Sequence, residues 1–206
     1  KTMSAIQTEE YKGYVVAIHQ DESPENPRDC MDELGTIVYW HSRYTLGGKQ
    51  DLNGRREYPD ESPQEVITRL AADGECLPLY LMDHSGLALR TDSQFQACDS
   101  AGWDWGQVGW IFCPEDRIVA EYGDDSPDSR EQCRKCLQGE VNTFGAYLSG
   151  EVYGWAVVGP DDKRGDSCWG YYGGDELPYM FECGRESVDT AIETATEQDM
   201  LCACVI

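Results

Sequence analysis

The 206-residue sequence predicts an α+β fold: a mostly antiparallel sheet with flanking helices, packed as a single compact domain over residues 1–206. Three observations lead there. Strand-like and helix-like segments do not alternate strictly, as they would in a parallel α/β sheet. Two pairs of β-rich runs are joined by short turn-forming segments, the pattern of antiparallel hairpins. Several helical segments open on Pro or Ser-Pro and close on Gly, the signature of capped helices.

Taken in order, "YKGYVVAIHQ" reads as an early strand rich in β-formers, and "GTIVYWHSRY" as a second, entered through the loop "DESPENPRDCMDEL". A Gly-rich polar loop, "GGKQDLNGRREYPDE", follows. "SPQEVITRLAADG" predicts a helix with Ser62 as N-cap, Pro63 at the first helical position and Glu65 completing a capping box. Val66, Ile67 and Leu70 form its apolar face. "LPLYLMDHSG" and "LALRT" predict a hairpin around His84-Ser85-Gly86. "GQVGWIFC" is apolar on both faces, which places it in the middle of a sheet. "PEDRIVAEYG" predicts a short helix from Pro114 to Gly123, and Ser126-Pro127 opens a longer one ending at "LSG". "EVYGWAVVG" and "SCWGYYG" form a closing strand pair joined by "PDDKRGD". An acidic helix over about 186–200 comes last.

The charge is the unusual quantity: 39 acids against 16 bases, net −23. The excess is uneven. Residues 1–60 hold 11 acids and 7 bases, 61–125 hold 13 and 3, and 126–206 hold 15 and 6. Such a surface repels nucleic-acid backbones and anionic membranes, and attracts basic proteins. In the last helix Asp189, Glu193 and Glu197 stand at i, i+4 and i+8, one acidic stripe. It reads either as a solvated face or as a row of carboxylates offered to a basic partner. "KTMSAIQTEE" lacks the apolar core of a signal peptide, and no stretch approaches the ~20 apolar residues of a membrane helix. The expected setting is the cytoplasm, with no membrane partner and no direct nucleic-acid partner. The oligomeric state is left open.

In that setting the ten cysteines are expected to be reduced and mostly buried. Only Cys133 and Cys136 (C-x-x-C) with Cys202 and Cys204 (C-x-C) have a spacing that could hold one zinc, and the turn residues of a zinc ribbon are missing. No cofactor is expected. The three histidines limit acid–base schemes. Asp83-His84-Ser85 are adjacent, which fits a turn better than a triad. Cys168, in "DSCWGYYGG", could serve as a nucleophile if His41 or His84 came within reach; otherwise it is a small apolar residue of a strand. Gly beside Trp or Tyr in "GDSCWGYYGG" and "AGWDWGQVGW" is a packing device that could also stack a nucleobase.

The motifs "NPRDCMDELGTIVYWHSRYTLGG", "LPLYLMDHSGLALRT", "WDWGQVGWIF", "GEVNTFGAYLSGEVYGWAV" and "DSCWGYYGG" together resemble a family of small, mostly hypothetical proteins encoded by phages, plasmids and integrative elements. The likeness runs from about residue 11 to residue 174. This chain departs from the family pattern at Ser42, Gly48 and Trp105, where an arginine, an acid and a serine are usual. The resemblance implies an accessory protein that disarms host defence. Joined to the charge, it gives a protein that occupies the basic surface of a CRISPR or restriction complex as a nucleic-acid mimic, without catalysis. The binding residues would be Glu115, Asp116, Glu121, Asp124, Asp125, Asp175, Glu176, Asp189, Glu193 and Glu197. A second reading is a binder that sequesters a nucleotide immune signal in an aromatic pocket of Arg43, Trp103, Trp105, Trp169 and Tyr171. A third is a hydrolase using Cys168.

Overall fold

The computed structural model describes residues 4–97, 99, 101–160 and 163–203, with side chains through 197. Its fold is α+β, rich in antiparallel pairing. The chain divides into two compact units, one of Glu25–Gly150 and one of Lys1–Pro24 with Glu151–Ile206.

The early strand is in fact a hairpin, β1 (Gln7–Tyr11) and β2 (Tyr14–Gln20). It turns on Lys12 and Gly13, both left-handed at φ 49° and 82°, the twist a two-residue hairpin loop requires. Gly13 takes that conformation freely, and it was the sign of the turn inside "YKGY".

The Glu25–Gly150 unit begins with α1 (Pro27–Cys30), β3 (Thr36–Tyr39), β4 (Leu52–Asn53) and α2 (Gly54–Glu57). Next is α3 (Pro63–Leu70), where the capping box forms: the Ser62 hydroxyl accepts the Glu65 N–H and the Glu65 carboxylate accepts the Ser62 N–H at 3.0 Å. β5 (Glu75–Asp83) and β6 (Leu87–Arg90) are the expected hairpin. β7 (Trp105–Cys113) is central, in a five-stranded sheet of order β4-β3-β7-β5-β6; only β3 and β4 run parallel. Then come α4 (Glu115–Tyr122), closed by left-handed Gly123, and α5 (Pro127–Ser149), capped by Ser126. β7 is apolar on both faces because both are covered. Ile111 packs with Leu79, Leu137 and Phe144 on the α5 side, and Phe112 with Val66 and Ile67 of α3 on the other.

In the second unit, β8 (Val152–Val158) and β9 (Arg164–Tyr172) extend the first hairpin into an antiparallel sheet of order β1-β2-β8-β9. The last helix, α6 (Leu177–Ala203), starts nine residues before the expected acidic segment at 186. It lays Met180, Phe181 and Val188 on Val16, Ile18, Trp155 and Val157. Gly184 sits so close to the sheet that a Cβ there would fall 2.3 Å from Val16 Cγ1. Among the described residues no helix is long and apolar enough to cross a membrane. The cysteines are less buried than expected: Cys113 and Cys133 are buried, whereas Cys30 and Cys168 are exposed.

Candidate functional site

The residues with the most chemical potential gather at one end of the five-stranded sheet. β3 ends at Tyr39, so His41, Arg43 and Tyr44 fall in the loop beyond it. There the Asp83 carboxylate accepts from the Tyr44 hydroxyl at 2.9 Å and from Arg43 Nη1 at 3.1 Å. His41 Nδ1 accepts the N–H groups of Arg43 and Tyr44 at 3.3 and 3.0 Å, so its proton sits on Nε2 when the ring is neutral. Its ring stacks on Tyr44, centroids 5.1 Å apart, and burial lowers its pKa. His84 turns away from its neighbours and pairs with Asp104, Nδ1 to Oδ2 at 2.7 Å. Asp83 and His84 thus serve different partners: Asp83 ends β5, and His84 and Ser85 lie in the bend that leads to β6.

Asp99 pins the next loop. Its carboxylate accepts the N–H groups of Ala101, Trp103 and Asp104, which holds its pKa low. Trp103 stands 87% exposed on that loop. Trp105 is half-buried, against Tyr80 and Phe95, with Nε1 donating to the Asp99 carbonyl at 2.8 Å. The His84–Asp104 pair leaves Nε2 facing away from its carboxylate, a geometry that suits proton transfer. No described thiol or hydroxyl is bonded to either His41 or His84. Cys168 belongs to the other unit; its exposed Sγ lies 3.9 Å from the Trp169 carbonyl.

Trp169 and Tyr171 also belong to that unit, whereas Arg43, Trp103 and Trp105 belong to the Glu25–Gly150 unit. The Trp169 ring lies over Gly154, where a Cβ would come within 2.4 Å of it, and the ring is 40% exposed. Tyr171 accepts from Trp155 Nε1 at 3.0 Å. "DSCWGYYGG" is therefore an edge strand on which one aromatic covers a glycine.

The ten acids expected to bind divide by what they already touch. Asp124 accepts from the Ser126 N–H and Ser129 hydroxyl at the start of α5, which lowers its pKa. Asp125 takes Arg130 at 2.8 Å, and Asp189 takes Lys12 at 2.7 Å and the Tyr11 hydroxyl at 3.2 Å. Asp116, Glu121, Asp175, Glu176, Glu193 and Glu197 are exposed, and Glu115 is half-buried; none of these seven has an ion-pair partner among the described residues. The acidic stripe therefore begins with a committed carboxylate and continues with two open ones.

Cys133 and Cys136 share a face of α5. Burial pushes their thiols up to about 12 and about 11, which makes both inert at neutral pH. The side chain of Cys202, and all of Cys204, lie outside the described residues. Among the described residues no group of three or more His, Cys, Asp or Glu side chains could hold a metal.

Sequence reasoning missed a buried charge network at Arg28. Its guanidinium makes a two-pronged contact with Asp51, Nε to Oδ2 at 2.9 Å and Nη2 to Oδ1 at 2.8 Å. Nη1 meets Glu140 at 2.8 Å and Glu33 at 3.1 Å, and Nη2 donates to the Gly35 carbonyl at 2.7 Å. Burial opposes the Arg28 charge, but the carboxylates more than offset it. Glu33 goes the other way: burial, then its hydrogen bond to Glu140, push it up to about 8. Asp51 also accepts the Ile37 and Gly48 N–H groups, and Glu140 those of Leu34 and Gly35. The network ties α1, β3, the loop before β4 and α5 together. Every polar group in it is answered within it, which makes it a structural clamp.

No family model matches the chain. No curated protein matches it. No solved structure matches it.

Proposed function

We propose that this chain is an acidic binding protein of a mobile genetic element. It inhibits a host defence complex that acts on nucleic acid by occupying that complex's basic surface in the host cytoplasm. The family resemblance supplies the setting. The observation that carries the reading is how the few bases are spent. Arg28, Arg69, Arg130, Arg134 and Arg185 are held in ion pairs with acids of this same chain, while Asp116, Glu121, Asp175, Glu176, Glu193 and Glu197 are exposed with no ion-pair partner among the described residues. The surface thus keeps a negative field that internal pairing does not cancel. Glu193 and Glu197 are one helical turn apart, about 6 Å along the axis of α6. That gives a regular row of charge of the kind a basic groove receives.

The test is competition. A basic defence complex captured by the chain should release it as salt rises, with affinity falling about tenfold or more between 50 and 200 mM. Duplex DNA should displace the chain from the complex. Affinity that stays flat with salt, or a stable ternary complex with DNA, would refute the mimicry.

A further inference from the structure

Two open depressions on the Glu25–Gly150 unit meet at Ala72 and together form a shallow groove, one part along α3 and β7 and the other at the first turns of α4. One stretch, of about 440 Å³, is lined by Trp110, Ile67 and Cys76 as its apolar floor residues together with Gln64 and Thr68 of α3. The next, of about 510 Å³, runs over Pro114 and Val119. The two stretches share Ala72. Val119 is 39% exposed and Trp110 is half-buried, so the floor holds apolar surface that the fold leaves in contact with water.

Among the described residues the charged ones lining the groove are Asp73, Glu115 and Asp116, and no base lines it. Bases close to the lining in sequence or bonded to it are already engaged, Arg69 with Glu61 at 2.7 Å among them. Arg130 donates to the Asp73 and Gly74 carbonyls and pairs with Asp125 and Glu75. Arg117 donates to the Glu33 carbonyl at 2.6 Å. Glu115 and Asp116 also favour the N-terminus of α4 through its dipole, which offsets part of their charge. The groove still combines apolar lining with acids in both of its stretches, Asp73 in the first and Glu115 and Asp116 in the second.

We infer that this groove seats a short basic segment of a partner protein. An apolar side chain of that segment lies on Trp110 and Val119, and a Lys or Arg faces Asp73, Glu115 and Asp116. The inference rests on the proposed binding of a basic partner and adds a second contact to that made by the carboxylate row of α6. Charge complementarity selects the occupant: a nucleic acid or a second copy of this −23 chain would bring like charge to these acids.

The probe is a labelled 12-residue peptide of Lys and Leu, read by fluorescence anisotropy against the full chain. Two control peptides replace Leu with Ser, or Lys with Glu. Ala72 is exposed, so Ala72→Trp fills the groove without disturbing the core, and circular dichroism confirms that the variant is folded. Ala72→Trp should weaken the Lys/Leu peptide about tenfold. Glu115→Gln with Asp116→Asn should weaken it about three- to tenfold and flatten its salt dependence. Glu182→Gln with Glu186→Gln, two exposed acids on α6, should leave it unchanged, and both control peptides should bind more weakly. Wild-type affinity in folded Ala72→Trp would overturn the groove, as would equal losses from the α6 and α4 pairs. In either case salt-dependent binding would leave the general charge reading standing. Salt-independent binding of the defence complex would refute that reading, whatever the peptide does.

Discussion

Arg28 carries one positive charge and meets three carboxylates, so the cluster is over-supplied with acid. The surplus is relieved by a proton on Glu33, held up at about 8 by burial and by the hydrogen bond to Glu140. Unfolded, Glu33 would lose that proton near pH 4.3. Between those values the folded chain binds the extra proton, so the Glu33 contribution to stability falls as pH rises from about 5 to 8 and is gone above. Glu33→Gln keeps a donor toward Glu140 without an ionisable group. It should remove this slope and exceed the wild type in stability at pH 9 by about 1–2 kcal/mol, discounted for partial exposure. Urea unfolding of both proteins at pH 6 and pH 9 checks this; identical pH profiles would show that Glu33 is ionised throughout. None of this was legible in the sequence. Arg28 lies 23 residues from Asp51 and 112 from Glu140, and only the fold brings them together. Cys168 shows the same limit: its strand was readable from local pattern, its place at an exposed sheet edge was not.

At the level of elements, what was readable is what is local. The Ser62–Glu65 capping box, the Gly123 stop, the Ser126-Pro127 start and the β5–β6 turn each depend on a few adjacent residues, and each forms where the sequence put it. The β1–β2 turn was missed because Tyr11 before Lys12-Gly13 and Tyr14, Val15, Val16 and Ile18 after it read as one β-rich run. The partners of the strands were not readable either. Val16 pairs with Val157 across most of the chain, so the strands of residues 7–20 enter a sheet completed only after residue 151. α6 joins that sheet through a glycine. Gly184→Ala gains helix propensity of about 1 kcal/mol. It also forces a Cβ to 2.3 Å from fully buried, β-branched Val16, whose stiff side chain has little room to yield. Overpacking of that kind costs about 1–3 kcal/mol and should prevail. The midpoint of thermal unfolding should fall by several degrees, at roughly 2–4 °C per kcal/mol for a chain of this size. A variant as stable as the wild type would show that α6 can lift off the sheet without loss.

Across the whole molecule the acidity is shared by both units. The Glu25–Gly150 unit has 23 acids to 11 bases, and the other has 16 to 5. Composition alone revealed this, because net charge needs no fold; which carboxylates are free needed the structure. Two opposite salt effects follow. Exposed pairs such as Arg69–Glu61 and Arg134–Glu131 weaken as salt rises, but each contributes only about 0–1 kcal/mol. Repulsion among the surplus carboxylates also weakens, and it acts over the whole surface within a Debye length of about 10 Å at 0.1 M. Unpaired acids outnumber exposed pairs, so relief of repulsion should dominate. The midpoint of thermal unfolding should rise by a few degrees between 20 and 500 mM NaCl, measured by circular dichroism at pH 7. Substituting Asp116, Glu121, Glu193 and Glu197 by their amides together should shrink that rise. A flat or falling midpoint would mean that the acids are compensated locally. The long-range field would then be too weak to steer a basic partner toward this chain.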